Sequence, residues 1–187
     1  MTLAASVHRS PARTLSTAAA VAAGALLVTV ASQLAVPLPG TPVPMTLQPL
    51  AVLLAGGLLG RRRGAAAMVV YLLAGAAGLP VFTPFGAPGW LRLFGPTGGY
   101  LLAFPVAAAL VGWVTARRTG WTALVLGPLA GMLVIHLGGM AQLLVLTGSL
   151  RAAVAAGTMP FVLGDLLKVL VAAVALRRAI PWMRASR

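Results

Sequence analysis

The sequence predicts an all-α integral membrane protein, a bundle of six transmembrane helices with both termini cytoplasmic. Three observations predict it. Apolar residues make up 60% of the 187 and charged residues only 8%, giving a mean hydropathy of +1.00, far above that of an average soluble domain. These residues fall into runs bounded by Pro, Gly and Arg, to be judged against the roughly 20 residues a helix needs to cross a bilayer. The arginines lie at the ends of those runs instead of forming one basic face, so a formal net charge of +13 reads as a topology signal and not as a nucleic-acid footprint.

The first span is predicted from Leu15 to Val36. Its apolar run exceeds the ~7 to 15 residues of a secretory signal and no soluble region follows it, so it is expected to stay as a span. Ala18 and Ala22, like Ala19 and Ala23, set small side chains four apart and allow close helix approach; Ala18 and Ala22 are candidate contacts for a partner. The second span, Leu47 to Gly60, and the third, Gly64 to Leu79, are short and flank Arg61 to Arg63, which implies tilt, local thinning or extension through Arg61 to Arg63. The fourth runs from Gly98 to Ala116 and the fifth from Trp121 to Leu146. Gly56 with Gly60 and Gly127 with Gly131 repeat the small-residue spacing and suit internal packing. The sixth, Pro160 to Ile180, follows Thr158 as a candidate N-cap and carries Pro160 in its first turn, where the missing N–H is harmless. The chain then divides into a cytoplasmic segment over 1–14, one membrane domain over 15–180 and a basic cytoplasmic tail over 181–187.

Positive side chains near helix ends are retained in the cytoplasm. With both ends inside, Arg9, Arg13, Arg61 to Arg63, Arg117, Arg118 and the four arginines from Arg177 onward face the cytoplasm, eleven against Arg92 and Arg151 outside. This orientation puts three Pro- and Gly-rich connections outside: Pro37 to Thr46, Pro80 to Thr97 and Thr147 to Thr158. The middle one holds Phe82, Phe85, Trp90 and Phe94, four of the eleven aromatic residues, and prolines restrict it. It is read as an apolar lid, the alternative being an interfacial aromatic belt.

Asp165 is the only acidic residue in the chain and Lys168 the only lysine. Both fall within the sixth span, and ionisable groups at membrane depth usually mark a substrate path, an ion site or a paired charge. Three residues apart, they share one helix face, roughly 7 to 12 Å inward from Pro160. Asp165 accepts N–H donors and Lys168 donates to a carbonyl or carboxylate, so the pair suits a polar pocket; the alternative is an internal strut in which the two neutralise each other. His136 has no evident acidic or serine partner and reads as a packing residue. One carboxylate is too few to hold divalent cations, the lack of cysteine removes thiolate chemistry, and Ser149 is the only serine between the first and last spans. The chain is therefore not read as an enzyme, and no metal, cofactor or nucleic acid is expected.

Pro44-Met45-Thr46-Leu47-Gln48, Tyr71-Leu72-Leu73-Ala74-Gly75, Gly78-Leu79-Pro80-Val81-Phe82, Phe94-Gly95-Pro96-Thr97-Gly98-Gly99-Tyr100 and Gly164-Asp165-Leu166-Leu167-Lys168 occur in that order. Across Val36 to Val169 this series resembles the BioY family of biotin transporters. The resemblance implies a substrate-binding S component of an energy-coupling factor transporter in the bacterial plasma membrane, working with a membrane coupling subunit and two ATPase subunits. Consistently, the chain has no Gly-x-x-x-x-Gly-Lys loop of its own. Biotin would be the transported ligand. Carried over by position, Asp165 and Lys168 form the binding pair, with Tyr100, Gly99, Thr46, Gln48 and Phe82 around them. Asp165 would accept a ureido N–H and Lys168 meet the ureido carbonyl. Arg92 would pair with the tail carboxylate, unless the two cations exchange roles; an exposed loop arginine is as often simply solvated. Thr83-Pro84-Phe85 departs from the small, Gly-rich stretch expected there. Two other readings stay open: a self-sufficient secondary transporter of a small carboxylate, and a membrane scaffold that uses the pair only structurally.

Overall fold

A computed structural model describes residues 11–117 and 120–185, with side chains over 17–117 and 120–180. Of the arginines used for orientation, Arg9, Arg118 and Arg187 lie outside the described residues, as do most of the N-terminal segment and the last two residues of the tail. The architecture is all-α: α1 (Pro11–Gln33), α2 (Gln48–Ala76), α3 (Gly98–Arg117), α4 (Trp121–Thr147), α5 (Leu150–Gly157) and α6 (Val162–Ala185). Between α1 and α2, the two-residue strands β1 (Ala35–Val36) and β2 (Met45–Thr46) pair antiparallel, Ala35 opposite Thr46, and close the intervening loop. Among the described residues, three stretches are long and apolar enough to cross a membrane: Gly98–Arg117, Trp121–Thr147 and Leu150–Ile180.

The residues expected as second and third spans form two helical halves of α2, divided at Gly60 as expected. Gly60, at φ 81°, turns the chain inside α2, and the arginine triplet continues as helix on its far side instead of forming a loop. Only glycine enters that left-handed region without steric penalty. The second half of α2 thus folds back on the first. Gly56 sits so close to α3 that a Cβ there would lie 2.4 Å from the Ala108 carbonyl oxygen.

The expected loop after α4 also contains structure. Gly148, at φ 65°, stops α4, and the Ser149 side chain accepts from Ala152 N to start α5. Thr158 does not cap through its side chain; a 3-10 turn over Met159–Phe161 intervenes and α6 begins at Val162.

The burial pattern of α6 is what lipid imposes. Asp165, Lys168, Val169, Ala172, Ala173 and Leu176 are buried, while Leu163, Leu166, Leu167, Leu170, Val171 and Val174 are exposed. An apolar face turned outward with the charges turned inward is stable only where the surroundings are apolar. One core gathers around Val28, Val52, Met68, Tyr71, Phe82 and Phe104, and a second around Leu53, Val111, Leu124 and Leu176.

Candidate functional site

Three connections meet at the first of these cores. Thr41 Oγ1 donates to the Ala156 carbonyl at 2.7 Å, and Ser32 Oγ to the Val81 carbonyl at 2.7 Å. Gln142 Nε2 donates to the carbonyls of Leu93 and Gly95 at 3.1 and 3.0 Å. Beneath them lies a cavity with about 600 Å³ of empty space, its open side included. Its wall is mostly apolar with a few converging polar groups, as in small-molecule sites. Thr46, Gln48, Thr83, Arg92, Tyr100, His136, Asp165 and Lys168 line it, among Phe82, Phe104, Ile135 and Phe161.

Asp165 is held from two sides. Lys168 Nζ donates to Oδ1 at 2.7 Å, as the three-residue spacing requires, and His136 Nε2 lies 2.8 Å from Oδ2. An ionised carboxylate only accepts, so the proton in the second contact belongs to the imidazole. This corrects the reading of His136 as a residue without an acidic partner: α4 packs on α6 and brings the ring to Asp165 across 29 positions of sequence. Its Nδ1 is buried with no hydrogen-bond partner. Asp165 stands in the first turn of α6, only about 4.5 Å along the axis from Val162, where the helix dipole also favours a negative charge.

Arg92 is corrected too. It is 5% exposed, not a solvated loop residue. Its Nε donates to the Ala87 carbonyl at 2.7 Å, Nη2 to the Thr83 carbonyl at 2.9 Å, and Nη1 to Thr83 Oγ1 at 2.8 Å and to the Phe85 carbonyl. The guanidinium thereby bonds backbone carbonyls that the irregular 83–87 segment leaves outside any regular ladder. Burial draws its pKa below the ordinary arginine value, partly offset by the field of Tyr71.

The other expected residues separate into two groups. Gln48, Thr46, Tyr100 and Phe82 reach the cavity. Gln48 Nε2 donates to Tyr71 Oη at 2.6 Å, Tyr71 packs edge-on against Phe82 at 5.4 Å, and Tyr100 Oη donates to the Gly157 carbonyl at 2.6 Å. Gly99 is not on the cavity wall. It lies where α3 crosses α4, and a Cβ there would stand 2.1 Å from the Gly138 carbonyl oxygen. Ala18 and Ala22 are exposed on α1, away from the cavity. Of the four aromatics in the 80–97 connection, Phe82 alone is buried; Phe85, Trp90 and Phe94 are exposed, Trp90 and Phe94 as an edge-on pair at 5.8 Å. The outer three suit an interfacial belt better than a lid. Sequence reasoning also missed Thr83 and Tyr71 as structural partners of this site; the Thr83-Pro84-Phe85 departure was the one local signal for the former.

Fold and cavity together define a helical membrane protein built around a partly open, mostly apolar pocket on which a few polar groups converge. The chain belongs to the BioY family, whose profile matches residues 4–185. It is 38% identical over 152 residues to the biotin transporter BioY of Thermotoga maritima, covering 81% of this chain and 88% of that protein. It is 37% identical to the probable biotin transporter BioY of Pyrococcus horikoshii, covering 73% and 80%. The crystal structure of an S-component for biotin from an ECF-type ABC transporter superposes with a TM-score of 0.82 at 26% identity, over 92% of this chain and 95% of that one.

Proposed function

We propose that this protein is the biotin-binding membrane subunit of an ECF-type transporter, a transporter component and not an enzyme. The observation that carries this reading is the convergence of Asp165, Lys168, His136 and Arg92 on one cavity in a chain of the BioY family. In this reading the Asp165 carboxylate accepts an N–H of the ureido ring. Lys168 moves part of its hydrogen bonding to the ureido carbonyl, with His136 holding the carboxylate in place. The aliphatic tail of biotin runs along Phe82, Phe104 and Phe161, and its carboxylate comes to the Arg92 side; exchange of the two cations' roles is the variant to be distinguished. With Asp165 balanced by Lys168, the cationic Arg92 leaves the pocket suited to a monoanion.

Six membrane crossings with cytoplasmic termini follow if each half of α2 crosses once, which also sets the cavity on the outer side and the arginine-rich end inside. A bacterial plasma membrane, a separate coupling subunit contacting the Ala18–Ala22 face, and two ATPase subunits complete the assembly. Calorimetric titration of the purified chain in detergent tests the proposal: one biotin per chain is expected. Desthiobiotin, which keeps the ureido group, should compete, and a fatty acid of equal length should not. Absence of biotin binding by a monodisperse preparation refutes it.

A further inference from the structure

A second site lies at the other end of the bundle. α3 starts at the cavity with Gly98 to Tyr100, and Trp113 follows Tyr100 by 13 residues, roughly 20 Å along the axis. There, a groove with about 530 Å³ of space, its open side included, is lined by Arg61, Val106, Ala109, Leu110 and Trp113. The backbone builds it. The Gly60 turn presses the start of the second half of α2 against α3, where a Cβ on Gly112 would lie 2.5 Å from Arg61 N. The Arg61 backbone is thereby held against α3, and its exposed side chain lines the groove with Trp113.

The groove has two chemical parts. Val106, Leu110 and Trp113 recur at the spacing of one helix face and form an apolar strip about 10 Å long. Arg117 continues that face one turn further, its guanidinium stacked 4.2 Å from the Trp113 ring centroid. Stacking uses the face of a guanidinium and leaves its in-plane N–H groups to bond an anion. No side-chain carboxylate is left to be that anion, because Asp165 is the only one in the chain and is held by Lys168 and His136.

We propose that this groove binds an anionic glycerophospholipid, its phosphate between Arg61 and Arg117 and an acyl chain along Val106, Leu110 and Trp113. Basic pockets between transmembrane helices take such headgroups. An acidic partner protein would match the two arginines, yet it would leave the apolar strip, on a helix apolar enough to cross the membrane, without a counterpart.

Native mass spectrometry of the full chain in detergent, offered equal amounts of dioleoylphosphatidylglycerol and dioleoylphosphatidylcholine, tests the assignment. The wild type is expected to retain phosphatidylglycerol selectively. At about fivefold in affinity per arginine near a membrane surface, Arg61→Gln and Arg117→Gln should each lose about that factor, and Trp113→Leu should shorten retention. Arg178→Gln, at the same end and outside the groove, serves as the control, and size-exclusion elution confirms that each variant is folded. Equal retention of the two lipids by the wild type overturns the proposal. So does an equal loss in Arg178→Gln, which marks diffuse attraction, and so does lipid-indifferent binding of a polyglutamate peptide that Arg61→Gln abolishes, which marks a protein partner.

Discussion

Asp165→Asn is the sharpest perturbation of the cavity, because it preserves side-chain shape while removing charge. In the native arrangement one carboxylate oxygen accepts from Lys168 at 2.7 Å and the other from His136 at 2.8 Å. Asparagine offers one oxygen and one NH₂ group, so with the oxygen on Lys168 the contact to His136 survives only if the imidazole moves its proton to Nδ1, which is buried with no hydrogen-bond partner. Lys168, 7% exposed, is then left without a counter-ion. Breaking a buried pair by removing one partner destabilises a protein by roughly 3 to 5 kcal/mol. Truncating a buried charged contact in a binding site weakens the complex by roughly 2 to 5 kcal/mol, a fall in biotin affinity from about 30-fold to several thousand-fold. Calorimetry reads the affinity and tryptophan-monitored melting reads the stability. A double variant, Asp165→Leu with Lys168→Met, separates the two roles. Replacing a whole buried pair by apolar groups is close to neutral for folding, so the double variant should recover much of the lost stability and still fail to bind. Unchanged biotin affinity in Asp165→Asn, or wild-type affinity in the double variant, refutes the assignment of this pair to the ligand.

His136→Leu removes an N–H donor from a buried carboxylate and is expected to weaken biotin binding by about 1.5 to 3 kcal/mol. His136→Gln, which keeps an N–H donor, should restore part of that loss; equal losses in both would make the residue a matter of packing volume. Arg92→Lys keeps the charge but presents a single nitrogen to acceptors that now meet three, so one or two hydrogen bonds from a charged group should go, about 1.5 to 3 kcal/mol each. Faster amide exchange over 83–92 and a faster biotin off-rate should follow, and unchanged exchange would show that the fan of bonds does not hold the segment. Gly60→Ala meets no atom within 4 Å, so its effect comes from the left-handed backbone alone, about 1 to 2 kcal/mol. It should lower the melting temperature and leave biotin affinity unchanged, since the kink lies at the end opposite the cavity; a large affinity loss would show coupling between the two ends.

The parts of this site that sequence spacing reveals are those joined within one helix. Asp165 and Lys168 are three apart on an apolar background, and the spacing alone predicts the ion pair that forms. His136 meets Asp165 from another helix, and no local pattern says which residues of α4 turn toward α6. The same limit hid the burial of Arg92 and its partners, chiefly main-chain oxygens of a segment with no regular ladder. Turn chemistry was legible at Gly60, which reads as the end of a span: the left-handed glycine does break the helix there, and the arginines after it are already helical. Gly148 and Ser149 likewise form a stop and a start that the brevity of α5 obscures. A physical constraint nevertheless narrows what remains. In a chain with one carboxylate side chain, a second buried cation has no acid left to meet, so it must find main-chain oxygens or an anion from outside. Arg92 takes the first course at the cavity, through the carbonyls of Thr83, Phe85 and Ala87. A bound carboxylate would have to compete with those carbonyls for the same N–H groups, so ligand binding and the conformation of the 83–87 segment should be coupled wherever Arg92 is the partner of the tail.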